Sequence, residues 1–68
     1  MIVELNGRPE ELPEGATVAD AVKAVGVGGE HRGVAVALDG EVVRRVEWET
    51  TQLGDRQAVE VVMAVQGG

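Results

Sequence analysis

The stretch VAVALDGEVV, residues 34–43, decides the fold, because an apolar run meets a turn signal and is followed by a second apolar run. Val34 to Leu38 is almost continuously apolar, which is typical of a strand buried on both faces. Asp39-Gly40 favours a type I′ turn, which needs positive φ at both central residues. We therefore predict a β-hairpin whose return strand covers Glu41 to Val46.

A second hairpin is predicted at the beginning of the chain. Ile2 to Leu5 alternates apolar and polar residues, and Asn6-Gly7 follows as a strong turn signal. The return arm, Arg8 to Leu12, contains Pro9, which cannot donate to a strand ladder and so indicates an edge strand. Pro13-Glu14-Gly15 then turns the chain.

A short helix is predicted after this turn. Thr17 is a candidate N-cap, with Asp20 three residues later as an acidic variant of the capping box. Gly26 is placed to end the helix in the left-handed conformation. The apolar residues at helical spacing that should form its buried face are Val18, Ala21, Val22 and Val25.

The glycine-dense loop of residues 27–33 does not match a phosphate-binding motif. It has no Lys-Ser or Lys-Thr for a P-loop, and His31 stands where a dinucleotide fingerprint starting at Gly26 and Gly28 needs its third glycine. His31 is the single histidine and has no cysteine or second histidine beside it, so we interpret it as a solvated loop residue. The sequence predicts no metal site and no bound cofactor.

The last third of the chain predicts a packed turn and a final strand. Trp48 and Leu53 should pack a turn against the sheet, and Gly54-Asp55 marks a further break. Ala58 to Val65 then predicts the last strand. By strand alternation Val59, Val61 and Met63 share one face, and Glu60, Val62 and Ala64 share the other, with most of these valines expected in the core.

The order of hairpin, helix, hairpin and final strand predicts an α+β fold. One helix should lie across a mixed sheet of four to five strands. With 68 residues the chain is expected to form one domain, residues 1–65, with a thin core. Residues 66–68 are predicted to be a flexible tail.

Charge and cysteine content exclude several classes of function. The net charge of −6 argues against binding to nucleic acid or to an anionic membrane, and favours a partner with a basic surface. The acidic residues Glu47, Glu49 and Asp55 are candidates for that contact. The absence of cysteine excludes thiolate metal sites and thiol nucleophiles. The opening MIVEL resembles neither a signal peptide nor a membrane span, so a cytoplasmic location is expected.

The tail Gln66-Gly67-Gly68 suggests that the terminal carboxylate is itself the reactive group. Glycine has no Cβ, so two glycines in succession can pass through a channel too narrow for side chains. The carbonyl carbon of Gly68 would then be within reach of another protein's active site. Two terminal glycines occur by chance in about 2% of chains with this glycine content, which favours a function.

These features resemble a known family. The block VAVALDGEVV with Arg45 and Trp48, the segment VEVV at residues 59–62 and the ending AVQGG at residues 64–68 are similar to the thiamine-pathway sulfur carrier family, ThiS. The likeness covers essentially the whole chain and implies the ubiquitin-like β-grasp fold, in which the last strand is central and pairs with the first. Two positions differ: Arg44 stands where the family often has proline, and Arg56-Gln57 stands where it usually has Gly-Asp.

The resemblance implies a carrier that other enzymes act on, not an enzyme. A ubiquitin-activating-type adenylyltransferase (ThiF-like) would use ATP and magnesium to adenylate the carboxylate of Gly68, and sulfur would then displace AMP to leave a thiocarboxylate. A thiazole synthase (ThiG-like) would consume that sulfur. Gly67 would let the backbone pass a narrow channel, and Gln66 would begin the tail.

Three alternatives keep Gly68 as the reactive residue. The first is the small subunit of molybdopterin synthase. The chain resembles that protein less closely, because the chain is short and nearly devoid of aromatic residues. It is also compatible with a sulfur carrier of another pathway. The third alternative is a ubiquitin-like protein modifier, in which Gly68 ends in an isopeptide bond to a lysine. An interaction module with an unused tail would not need Gly68.

Overall fold

The computed structural model describes residues 1–26 and 33–63, and this part of the chain forms five strands, one α-helix and a short 3₁₀ helix. The elements in chain order are β1 (Ile2–Leu5), β2 (Arg8–Glu11), α1 (Val18–Val25), β3 (Val34–Leu38), β4 (Glu41–Val43), the 3₁₀ helix (Arg45–Glu47) and β5 (Ala58–Met63).

The five strands form one mixed sheet in the order β2-β1-β5-β3-β4. The last strand, β5, lies in the centre, parallel to β1 and antiparallel to β3. This confirms the predicted pairing of the last strand with the first. β2 is an edge strand, as Pro9 predicted, because an edge position does not require the amide hydrogen that proline lacks.

Both predicted hairpins are present, with positive φ at both central residues of each turn. Asn6 and Gly7 have φ of 52° and 81°, and Asp39 and Gly40 have φ of 49° and 86°. Asparagine and aspartate tolerate this left-handed region better than other residues with a Cβ, which explains why they precede glycine in both turns.

The helix α1 begins and ends at the predicted residues. Thr17 is its N-cap, and the capping box with Asp20 is complete. Gly26 ends the helix with φ of 92°, and its amide donates to the Lys23 carbonyl at 2.9 Å. No helix of the described residues is both long and apolar enough to cross a membrane.

The core lies between α1 and the face of the sheet that α1 covers. Five valines, each less than 2% exposed, form its centre, and they come from β1, α1, β3 and β5. Full burial of one such side chain contributes about 1.5–3 kcal/mol. Trp48 and Leu53 close one side at 5% and 6% exposure, which confirms the predicted packed turn. The five valines are Val3, Val18, Val22, Val36 and Val59.

The prediction that β3 is buried on both faces is wrong. Val36 is 1% exposed, but Ala35, its neighbour on the other face, is exposed. Among the described residues the sheet has one helix, and that helix covers one face only. β3 lies second from the edge of a sheet whose other face is open, and small alanines occupy that face.

The return strand of the second hairpin is shorter than predicted. β4 ends at Val43, and Arg45–Glu47 forms the 3₁₀ helix instead of continuing to Val46. The indole nitrogen of Trp48 donates to the Val43 carbonyl at 3.1 Å. Burial of Trp48 therefore draws the chain towards the helix side of the sheet directly after Val43.

Candidate functional site

The predicted reactive residues Gln66, Gly67 and Gly68 lie outside the described residues, as do His31 and residues 64 and 65, the end of the predicted last strand. The site is therefore built from what leads into the tail. The described chain ends at Met63, the last residue of β5, which pairs with Val34 of β3.

β5 is paired with β3 along most of its length and with β1 at its beginning. Its antiparallel register with β3 covers five residue pairs, from Val34–Met63 to Leu38–Val59. Its parallel register with β1 covers Glu4–Ala58 and Leu5–Val59. Val59 and Val61 are buried at 0% and 7% exposure, which agrees with the prediction that most valines of this strand lie in the core, whereas Met63 on the same face is 56% exposed. The chain therefore enters the tail from a well-anchored central strand.

Two turn residues also hold β5 through their side chains. The carboxylate oxygen Oδ1 of Asp39 accepts the amide hydrogen of Ala58 at 3.0 Å, and Oδ2 accepts from Nε2 of Gln57 at 2.9 Å. Oδ1 of Asn6 accepts the amide hydrogen of Val61 at 2.8 Å. From the sequence both residues were interpreted only as turn formers, because nothing local shows which strand lies beside each turn.

Hydrogen bonding lowers the pKa of Asp39 below its ordinary value of 3.8. The amide of Ala58 makes the largest contribution, and Gln57 adds to it. Both bonds stabilise the charged carboxylate, and the small opposing effect of desolvation does not cancel them. Asp39 is therefore ionised at neutral pH and joins the turn between β3 and β4 to the beginning of β5.

The uncovered face of the sheet carries an apolar patch next to the last residues of β5. Val62 pairs with Ala35, and Ala37 pairs with both Glu60 and Val42, so these side chains point to the same face. Val62 and Val42 are 61% and 77% exposed. We call Ala35, Ala37, Val42 and Val62 the open-face patch.

Carboxylates border the open-face patch. Glu60 lies between Val62 and Ala58 along β5, and Glu4 of β1 pairs with Ala58 on the same face. Both glutamates are exposed. The patch was missed because β3 was taken to be buried on both faces. The alternation of Val34, Val36 and Leu38 with two alanines was the signal that one face was different.

The acidic residues proposed for a partner contact lie in two separate parts of the surface. Glu47 and Glu49 belong to the 3₁₀ helix and the turn after it, whereas Asp55 accepts the amide hydrogen of Ile2 at 2.9 Å, at the beginning of β1. All three are exposed. The structure therefore does not assemble them into one acidic site.

A groove of about 600 Å³ lies between α1 and the 3₁₀ helix, on the helix side of the sheet. Its walls are of mixed character, with Val22 and Trp48 beside Lys23 and Glu49. None of the described residues that line it belongs to β5. In residues 1–26 and 33–63, no three acidic or histidine side chains lie close enough to hold a metal ion.

Comparison with known proteins connects this geometry to a family. The model of the ThiS family matches residues 2–68, which is nearly the whole chain and includes the two terminal glycines. The chain belongs to the ThiS family. The resemblance recognised in the sequence is thereby confirmed.

Relatives of known sequence agree with the family. The chain is 42% identical over 67 residues to the sulfur carrier protein ThiS of Thermus thermophilus, an alignment that covers 98% of this chain and all of that protein. A shorter likeness, 51% identical over 37 residues, is to a threonine–tRNA ligase of the same species. It covers 54% of this chain, and the chain spans only 6% of the length of that ligase.

Solved structures of the family have the same fold. The crystal structure of the thiamine biosynthesis protein ThiS from Geobacter metallireducens superposes with a TM-score of 0.79 at 31% identity, covering all of both chains. A solution structure of a thiamine biosynthesis protein from the same organism also gives 0.79, covering all of this chain and 88% of that one. The ubiquitin-like β-grasp fold predicted from the resemblance is confirmed, and the chain is a sulfur carrier of the ThiS family.

Proposed function

We propose that the chain carries sulfur as a thiocarboxylate on Gly68 and donates it for formation of the thiazole ring of thiamine. The observation that carries this proposal is the family match, which extends through Gly68. The Thermus ThiS protein is also matched over its full length. The anchored central strand β5 supports the proposal, because a reactive tail needs a firm base from which to reach a partner's active site.

The chemistry must be supplied by partners. A terminal carboxylate has a pKa near 3.5, so at neutral pH it is ionised and is a poor acyl donor. A ThiF-like adenylating enzyme uses ATP and magnesium: the carboxylate oxygen attacks the α-phosphorus and pyrophosphate leaves. A sulfur nucleophile then forms a C–S bond at the carbonyl carbon of Gly68 as the C–O bond to AMP breaks. A ThiG-like thiazole synthase consumes the resulting thiocarboxylate.

The open-face patch is the proposed docking surface for the adenylating enzyme. Its residue Val62 immediately precedes Met63, so a partner seated on the patch lies beside the beginning of the tail. Glu60 and Glu4 border the patch, and the chain has a net charge of −6. The matching partner surface is therefore apolar at its centre with basic residues around it.

Intact-mass spectrometry tests the carrier function. The purified protein is incubated with a ThiF-like enzyme, ATP, magnesium and a sulfide source. The expected result is the mass gain of one oxygen-to-sulfur exchange, located at Gly68 by fragmentation. An unchanged mass would contradict the proposal. Addition of thiazole synthase together with the carbon substrates that accept the sulfur should then remove it, whereas the large subunit of molybdopterin synthase together with its pterin precursor should not.

Two tail variants act as controls for the site. Deletion of Gly68 should abolish the mass gain and leave the melting temperature unchanged, because terminal residues contribute little to domain stability. Replacement of Gly67 with tryptophan should block adenylation by steric exclusion, while Gly67→Ala should retain more activity. Normal turnover of the tryptophan variant would show that no narrow channel is involved.

A further inference from the structure

Asn6 makes two hydrogen bonds to β5, one through its backbone and one through its side chain. Its amide hydrogen donates to the Val59 carbonyl at 2.9 Å. Its side-chain oxygen Oδ1 accepts the amide hydrogen of Val61 at 2.8 Å. In the parallel ladder between β1 and β5, the residue after Leu5 would normally make both bonds with its backbone.

The left-handed conformation of Asn6 explains why a side chain takes over the second bond. With φ of 52°, the chain reverses at Asn6-Gly7 to form β2, so the backbone carbonyl of Asn6 turns out of the strand direction. The side-chain carbonyl has the same acceptor chemistry and lies beside Val61 instead. Asn6 therefore extends the β1 side of the ladder one step past the point where the β1 backbone leaves it.

The hydrogen bond between the Asn6 side chain and the Val61 amide lies at the end of β5 that leads into the tail. On the β1 side, the described register ends at Leu5–Val59, whereas on the β3 side it continues through Val61 and Val62 to Met63. The Asn6 side chain is thus the contact that holds Val61 on the β1 side, two residues before the described chain ends.

We infer that Asn6 is a positioning residue for the reaction at the C-terminus. It fixes Val61 between two neighbours, so the tail begins from a defined point and direction. This inference rests on the proposed function, since a fixed starting point matters only if the tail must enter a partner's active site. Without the bond, residues 61–63 are held on the β3 side alone, and the partner must order this segment in each reaction cycle.

Asp39 offers a matched control at the opposite end of the same strand. It is also the first residue of an Asx-Gly turn with positive φ, and its side chain also accepts an amide hydrogen of β5, that of Ala58. The two variants Asn6→Gly and Asp39→Gly keep positive φ accessible and each remove one side-chain bond to β5, and Asp39→Gly also removes the bond from Gln57. Only the bond between Asn6 and Val61 lies near the tail.

The experiment compares the wild-type protein with Asn6→Gly, Asn6→Asp and Asp39→Gly. Hydrogen exchange measured by NMR reports on the Val61 amide, and pyrophosphate release by the ThiF-like enzyme gives kcat and KM. We expect Asn6→Gly to lose protection at Val61 and to lower kcat by about 5- to 30-fold, the equivalent of ordering one further backbone residue. KM should change little, because the open-face patch is intact.

Rescue and control variants separate positioning from stability. Aspartate at position 6 tolerates positive φ and offers the same acceptor oxygen, so Asn6→Asp should restore both protection and kcat. Asp39→Gly should lower the melting temperature without changing kcat. Equal kcat for Asn6→Gly and the wild type would overturn the inference, as would an Asp39→Gly variant with an equally low kcat. If neither the wild type nor any variant is adenylated, the proposed function is overturned instead. Hydrogen exchange at the Val61 amide then still tests whether the Asn6 side chain holds Val61.

Discussion

Three residues with a side chain have positive φ in the described part of the chain: Asn6, Asp39 and Arg56. Asparagine and aspartate tolerate this region because their short polar side chains can hydrogen-bond locally. Arg56, with φ of 72°, has no such compensation. Arg56 is therefore a site of local strain, which agrees with the expectation from the family resemblance that glycine usually stands at this position.

Replacement of Arg56 with glycine should stabilise the protein by about 1 kcal/mol. A residue with a Cβ in the left-handed conformation costs about 1–2 kcal/mol of folding free energy. The greater flexibility of glycine in the unfolded state offsets part of the stabilisation gained by removing that cost. The exposed ion pair lost with Asp55, at 3.7 Å, contributes little. Thermal unfolding should show a rise of roughly 4–8 °C. The control Arg56→Ala keeps the strain, so a similar rise there would contradict this explanation.

Asp39 should make the free energy of unfolding vary with pH in the acidic range. Its pKa is lowered in the folded protein by the bonds from Ala58 and Gln57. A lowered pKa means that the stabilisation is fully present above the ordinary value of 3.8 and is lost as the pH falls through the lower folded-state pKa. Urea unfolding from neutral to strongly acidic pH should show this loss in the wild type. Asp39→Asn, which keeps an acceptor oxygen and tolerates positive φ, should lack this increment of the pH dependence.

At the scale of the elements, α1 is short and depends on its ends. Eight residues are too few for a helix to be stable alone in water, so caps and packing must hold it. The capping box has unequal arms: Oδ2 of Asp20 accepts the Thr17 amide hydrogen at 2.8 Å, whereas Oγ1 of Thr17 accepts from the Asp20 amide at 3.4 Å. The shorter bond, made by a charged group, is the stronger one.

Asp20 should therefore matter at least as much to stability as the N-cap residue itself. We expect Asp20→Ala to lower the free energy of unfolding by about 1 kcal/mol, and Thr17→Ala by the same amount or less. Asp20→Asn keeps an acceptor but loses the charge near the helix N-terminus, so it should lie between Asp20→Ala and the wild type. Urea denaturation measures all three. A clearly larger loss for Thr17→Ala would reverse this ranking.

At the scale of the whole molecule, the two faces of the sheet have different roles. One face packs on α1 and buries the five central valines, and the other presents the open-face patch. The last strand has residues on both faces: Val59 and Val61 are in the core, while Glu60 and Val62 are exposed. Stability and proposed partner recognition are thereby separated by strand alternation within β5.

Replacement of Val62 with lysine should weaken docking without unfolding the protein. The new charge disrupts an apolar contact and faces a partner surface expected to be basic, so KM for the adenylating enzyme should rise about 10-fold or more. The matched control is Val46→Lys, since Val46 is 78% exposed but lies on the 3₁₀ helix. Circular dichroism checks the fold of both. An equal effect of the two variants would show that the open-face patch is not the docking surface.

Local chemistry allowed most of the elements to be predicted. The two Asx-Gly turns, the Thr17 cap and the Gly26 stop depend on residues only a few positions apart, so the sequence contains all that is needed to recognise them. The limits of β3 and the edge position of β2 follow in the same way. The length of β4 does not, because it is set by the burial of Trp48 against other elements.

The sequence by itself determined the turns, the helix caps, the family resemblance and the candidate reactive residue Gly68, since each depends on residue type and near neighbours. Only the tertiary structure decided that β3 is covered on one face and that Asn6 holds Val61, a residue 55 positions away. The physical reason is that burial and long-range hydrogen bonds depend on strand order. In this fold the strand order places the last strand between the first and the third.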